Sequence, residues 1–195
     1  MEQQENYIDP HRAALVVIDL QQGIVGMDAK PRSSHEVVAN AARLASHMRS
    51  HGGLVVLVRV AFEADGKDRL MPLIDQAIPL HRGQAQANFS DLVPEMGPHA
   101  GDLVITKRQW GAFYGTPLDL ELRRRGKDTI ILCGIATNFG VESTARDAYE
   151  RAYQQVFVED AMASMTEEGH RYPLQFIFPR LGRIRTTDQV IAMVR

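Results

Sequence analysis

Apolar residues in this chain come in short, nearly unbroken runs separated by segments of helical or turn character. Ala13 to Ile18 is wholly apolar before Asp19, and Leu54-Val55-Val56-Leu57-Val58, Leu103-Val104-Ile105, Ile130-Ile131-Leu132 and Val156-Phe157-Val158 follow at intervals. Runs of this length, rich in β-branched residues and not alternating with polar ones, are the pattern of strands buried on both faces of a parallel sheet. They predict strands over 13–21, 54–60, 102–107, 129–134 and 155–160, with a short polar edge strand at 183–186. Between them, Val37, Val38, Ala41, Leu44, Ala45 and Met48 fall on one face of a helix over 35–51, with Ser34 as its N-cap and Gly52-Gly53 as its stop. A second helix follows Thr116 as cap and Pro117 as first residue, and it ends in Arg123-Arg124-Arg125, where cations suit the helix C-terminus. Further helices are expected from Gly140 to about Tyr153, from about Thr166 with Pro173 interrupting it, and after a Thr187 cap.

Strands alternating with helices predict an α/β protein: a single three-layer α/β/α sandwich with a mostly parallel six-stranded sheet. One domain is expected over 1–195, with the polar stretch 1–12 as a flexible lead-in. From Phe62 to Ala100 the pattern dissolves into a proline-containing loop with His81 and Arg82 inside it. A loop this long in a compact domain is expected to be a lid or an oligomer contact. Its two basic residues read as solvated, with Arg82 able to reach an anionic substrate.

Composition narrows the function classes. With 195 residues, 45% hydrophobic and 24% charged, the chain has the make-up of an ordinary globular domain. A net charge of -2 lacks the basic excess of a nucleic-acid binder, so no nucleic acid is expected. No apolar run is long enough to span a membrane. A single cysteine, Cys133, allows no internal disulfide, and with no leader-like N-terminus it fits a cytoplasmic protein. Neither a glycine-rich phosphate loop nor a G-x-S-x-G elbow is present, and the seven histidines are dispersed. No cofactor and no metal are therefore expected, and the partner is a small-molecule substrate.

Two polar residues end buried strands, Asp19 and Lys107, and a third junction, Gly134 to Gly140, carries the polar pair Thr137 and Asn138 from strand into helix. In a doubly wound sheet the C-termini of the central strands face one crevice, so these three points can converge. An Asp and a Lys there would offset each other's desolvation and serve proton transfer, with a cap on the following loop as the lesser reading of Asp19 alone. The aromatic stretch Trp110, Phe113 and Tyr114 either walls a pocket or packs under the next helix. Cys133, inside an apolar run with no cation beside it in sequence, reads as an inert buried thiol.

The residues Val17-Ile18-Asp19-Leu20-Gln21, Lys107 through Thr116, Gly134-Ile135-Ala136-Thr137-Asn138 with Val141 through Ala148, and Glu159-Asp160-Ala161 occur in order over nearly the whole chain. On them the chain resembles the isochorismatase-like hydrolase superfamily, which includes isochorismatases, nicotinamidases and N-carbamoylsarcosine amidases. The resemblance implies a six-stranded parallel sheet, a homo-oligomer (dimer or higher), and, in the amidases, an Asp-Lys-Cys triad. The Asp matches Asp19 and the Lys matches Lys107, but the nucleophile's position is Gly140, which has no side chain. It further implies a cis peptide at Ile135–Ala136 turning backbone N–H groups toward the ligand, and a substrate site formed with Gln21, Trp110, Phe113, Tyr114, Ile135, Ala136, Thr137 and Asn138. Where nicotinamidases have metal ligands this chain reads Arg59-Val60-Ala61-Phe62-Glu63, so no metal is implied. True isochorismatases are similar in having Gly in the nucleophile slot. The implied activity is hydrolysis of a vinyl ether such as isochorismate, or a related small cyclic acid, with Asp19 as acid and Lys107 binding substrate. The alternative is a catalytically silent or ligand-binding member that lost an amidase's cysteine. Arg59, Arg82 and Arg108 are candidates to grip carboxylates. Beside Lys107, the Asp19 carboxyl is expected to have a lowered pKa, against the needs of a general acid, until a bound dicarboxylate raises it.

Overall fold

The computed structural model describes residues 7–76 and 87–195. Six strands form one all-parallel sheet: β1 (Ala13–Ile18), β2 (Leu54–Val60), β3 (Leu103–Lys107), β4 (Thr129–Ile135), β5 (Gln154–Ala163) and β6 (Arg183–Arg185). Their order is β3-β2-β1-β4-β5-β6. The chain winds outward from β1 to β3, then returns to lay β4 against the other side of β1. The crevice at the C-terminal ends of β1 and β4 is therefore the topological switch point of the sheet.

Helices cover both faces. One face packs α2 (Ser34–Ser50) and α6 (Thr187–Met193) on Ala13, Leu15 and Val17 of β1, and the other packs α3 (Leu118–Arg124) and α4 (Glu142–Glu150) on Ala14, Val16 and Ile18. Successive β1 side chains thus enter two separate cores, which is why the strand reads as a continuous apolar run. Two short helices complete the set, α1 (Gln22–Val25) and α5 (Glu167–Tyr172).

Local departures from the sequence reading have local causes. Ser33, not Ser34, caps α2, because Glu36 answers it in a reciprocal capping box. Thr186, not Thr187, caps α6 through the same device with Gln189. Thr187 instead gives its backbone N–H and hydroxyl to Asp160 Oδ1, at 2.7 and 2.8 Å. Helix α3 begins after Pro117, and Thr116 Oγ1 accepts from the Leu118 N–H. The segment between β1 and α2 opens with α1. The described part of the expected flexible lead-in is tied down: Ile8 is buried and its N–H donates to Met193 O at 2.9 Å, bridging to the C-terminus. His81 and Arg82 lie outside the described residues. No helix among the described residues is long and apolar enough to cross a membrane.

Candidate active site

β1 delivers Asp19 to the switch point in an unusual backbone conformation. Its φ is 55°, the left-handed region that Asp tolerates better than most residues at a cost of about 1 kcal/mol. The turn is held from both sides. Asp19 N–H donates to Val58 O, and the Gln21 amide clamps β2 by accepting from Val60 N–H and donating to Val60 O and Phe89 O. Lys107, the last residue of β3, lies two strands away but is in register with Val60 at the end of β2, so its long side chain reaches over that strand. Its Nζ stands 2.8 Å from Asp19 Oδ2 and donates to the Trp110 carbonyl at 2.5 Å.

The third component enters from β4. Gly134 has φ 121°, and a Cβ there would sit 2.1 Å from the Ile18 carbonyl oxygen, so only glycine lets β4 approach β1 this closely. The Ile135–Ala136 peptide is cis, at the position the resemblance implies. A wide π-type turn, Thr137–Val141, then leads into α4. This turn sets Gly140 directly on the ion pair. A Cβ on Gly140 would lie 3.1 Å from Lys107 Nζ and 3.2 Å from Asp19 Oδ2. The three points that the sequence marks at strand ends do converge.

Burial decides the electrostatics. The side chains of Lys107 and Asp19 are only 1% and 8% exposed. Desolvation raises the Asp19 pKa above the ordinary carboxylate range, and the opposing pull of Lys107, by charge and by hydrogen bond, does not cancel it. The expectation of a lowered pKa is thereby corrected: the attraction of Lys107 was legible in the residue types, whereas the depth of burial was not. Asp19 Oδ2 is engaged by Lys107, while the buried Oδ1 has no hydrogen-bond partner among the described residues. The pair can therefore hold a proton on a carboxyl oxygen in a water-poor setting, which is the property of a general acid.

The remaining expected site residues divide. Trp110 borders the pair through its carbonyl, and its ring meets Phe139 edge-on at 5.0 Å. Asn138 Oδ1 accepts from Ser164 Oγ at 2.5 Å, and Ala136 O accepts from Phe139 and Val141 N–H within the turn. Tyr114 is exposed, its carbonyl bound by the Gln109 amide. Four side chains are not placed to touch a ligand. Gln21 is fully buried with both ends of its amide used in the clamp. Phe113 sits in the core against Tyr153 with Arg151 over its ring, since it is the α3 and α4 layer that covers it. Ile135 belongs to the opposite core, and Thr137 is fully buried with its hydroxyl 2.9 Å from His170 Nδ1. Of the candidate arginines, Arg108 pairs with Asp68 and Glu63, and Arg59 donates to Thr106 Oγ1. Cys133 is buried in the core, where desolvation pushes its thiol pKa well up. Sequence reasoning missed His170, Arg32 and Ser164, which hold the Thr137–Val141 turn from α5 and from the loops flanking α2 and β5. Among the described residues no three His, Cys, Asp or Glu side chains group as metal ligands.

The chain is thus an α/β protein with a six-stranded parallel sheet and a buried Asp–Lys pair at its switch point, and comparison identifies its family. Residues 13–189 match the isochorismatase domain, and the chain belongs to the isochorismatase family of hydrolases. It is 51% identical over 188 residues to YwoC of Bacillus subtilis (strain 168), an uncharacterized isochorismatase family protein, spanning 96% of this chain and 97% of that one. A protein of Pseudomonas chlororaphis named "Probable isochorismatase" is 31% identical, over 94% of this chain and 87% of its own. The solved structure of an isochorismatase family protein from Burkholderia thailandensis matches with a TM-score of 0.91 and 41% identity, covering 96% of this chain and 97% of that one.

Proposed function

We propose that this hydrolase cleaves a vinyl ether of a small cyclic acid, with isochorismate as the reference substrate, by acid catalysis without a covalent intermediate. Asp19 protonates the methylene carbon of the enol ether, leaving an oxocarbenium ion. Water adds to that ion, its proton returns to Asp19, and the hemiketal collapses to pyruvate and the ring alcohol. Lys107 holds the Asp19 carboxyl through Oδ2 and stabilises it as its negative charge develops.

The observation that carries this reading is the state of Asp19: buried, raised in pKa, one oxygen on Lys107 and the other unpartnered. Gly140 supports it from the other side. An amidase mechanism needs a nucleophile on the turn beside the pair, and the residue that abuts Lys107 Nζ and Asp19 Oδ2 has no side chain to supply one. The buried, high-pKa Cys133 is no substitute. The name of the Pseudomonas chlororaphis relative supports the choice of isochorismate. Among the described residues, Arg69 is a candidate cation for the substrate's carboxylates. It lies beyond the end of β2 with its guanidinium over the Phe62 ring at 5.2 Å, and its buried Nε has no partner among the described residues.

A screen of isochorismate, related enolpyruvyl ethers and small amides on wild type and Asp19→Ala tests the reading. Pyruvate release by wild type alone supports it. Release of ammonia from an amide, or ligand binding with no turnover of any vinyl ether, overturns it in favour of a residual amidase or a silent binding member.

A further inference from the structure

Among the described residues the turn that seats Gly140 on the Asp19–Lys107 pair makes no hydrogen bond to β1 or β3; Thr144 of α4 donates to the Gly140 carbonyl at 2.6 Å, Ser164 donates to Asn138, and α5 grips the turn's first residue. His170, on α5 and almost fully buried, places Nδ1 2.9 Å from Thr137 Oγ1, at the first residue of the turn. On the far side of the ring, Arg32 Nη1 lies 3.4 Å from His170 Nε2 while donating to the carbonyls of Glu159 and Met162. Both Nη1 hydrogens go to those carbonyls, but the guanidinium charge beside Nε2 favours a lone pair there over an N–H, and so favours the neutral ring with its proton on Nδ1. His170 Nδ1–H therefore donates to Thr137, and the direction of the whole chain is set by Arg32. One residue earlier, Gly169 lies against Asn138 and Ser164 so closely that a Cβ there would be 3.0 Å from Asn138 Nδ2. Two consecutive α5 residues thus hold two consecutive residues of the turn.

We infer that His170, locked by Arg32 as the neutral Nδ1–H tautomer, is a positioning residue that keeps the Thr137–Val141 turn seated on the Asp19–Lys107 pair and so keeps that pair dry. This rests on the reading that the pair is the reaction centre. The consequence is chemical: water admitted beneath Gly140 would relieve the desolvation that holds the Asp19 proton. The low pKa of His170, about 4 through burial first and the Arg32 charge second, agrees with a ring held neutral. The other charged groups lining the hollow beside the ring are Glu159 of β5 and Glu167 and Arg171 of α5.

The test uses the intact protein as wild type, His170→Ala and His170→Asn, the last keeping an N–H donor where Nδ1 stands. Long-range proton–nitrogen NMR of wild type at neutral pH is expected to show a neutral ring protonated at Nδ1. Carboxyl-carbon NMR is expected to show Asp19 titrating at lower pH in His170→Ala and returning toward wild type in His170→Asn. On an active substrate, His170→Ala is expected to lower kcat by about 10²-fold, as for a misplaced catalytic group, and to shift the alkaline limb of kcat to lower pH. An Nε2–H tautomer, or an unchanged Asp19 titration in folded His170→Ala, overturns the inference. Because tautomer and titration are read without substrate, a failure of the vinyl-ether reading leaves them standing.

Discussion

Lys107 Nζ lies 2.8 Å from Asp19 Oδ2, inside a site so dry that the aspartate is harder to ionise than a solvated one despite its cation. Burial outweighs attraction here, and the balance can be shifted by substitution. Lys107→Met keeps the volume and removes the charge, leaving burial unopposed. The Asp19 pKa in the folded protein then rises further above its unfolded value. A raised folded-state pKa means stability that is present at low pH and lost as pH rises through it. Lys107→Met is therefore expected to be most stable below about pH 4 and to lose stability with rising pH more steeply than wild type, as followed by urea unfolding across pH.

Gly134 tests the fold's closest approach. Its φ of 121° and the 2.1 Å from a built Cβ to the Ile18 carbonyl oxygen leave no side chain to move aside, since the obstacle is backbone. Gly134→Ala is expected to destabilise by more than about 4 kcal/mol or to prevent folding, measured by chemical denaturation.

Gly140 is a milder case with a functional cost. Its φ is not in the left-handed region, and the contacts of a new Cβ are to side chains, Ile18 Cγ2 at 2.9 Å and Lys107 Nζ at 3.1 Å. Gly140→Ala is expected to fold, to lose about 1–2 kcal/mol through overpacking, and to lower kcat by displacing Lys107 from Asp19. Thermal unfolding and steady-state kinetics on the same sample separate the two effects.

His170 gives the fold a pH dependence of its own. Its folded pKa of about 4 lies below the ordinary 6.5, so between these values the unfolded chain binds the extra proton. Stability is expected to fall as pH drops from 6.5 to 4, by on the order of 2 kcal/mol with partial solvent access allowed for, and to level off below. His170→Asn, which does not titrate, is expected to lack this component in guanidinium unfolding.

How much of this was legible depended on whether a residue's meaning is local. Asp19 and Lys107 stand out because each ends a run of buried strand, and a parallel sheet sends strand ends to one crevice. The strand order was not legible, because the apolar runs mark strands without saying which ones pair; the return of β4 beside β1 is seen only in the structure. Gly140 is conspicuous only through the family resemblance, since a glycine in a turn has many uses. His170, Arg32 and Ser164 carry no signal along the chain: Arg32 meets His170 across 138 positions, and Ser164 meets Asn138 across 26. Gln21 and Phe113 come to the ligand only through the family resemblance, which carries no depth: the Gln21 amide is buried on Val60 and Phe89, and Phe113 packs in the core against Tyr153. The Asp19 pKa failed in sign for a related reason. Charges can be counted in a sequence, and depth of burial cannot.

The central claim is that Asp19 supplies the proton. The direct measurement is pyruvate release from isochorismate by wild type and Asp19→Asn, an uncharged near-isostere, with both proteins shown folded by circular dichroism. Release by wild type and a loss of about 10²–10⁴-fold in kcat for the variant, the range of a general acid, are expected. Equal release by Asp19→Asn, or none by wild type, would contradict it.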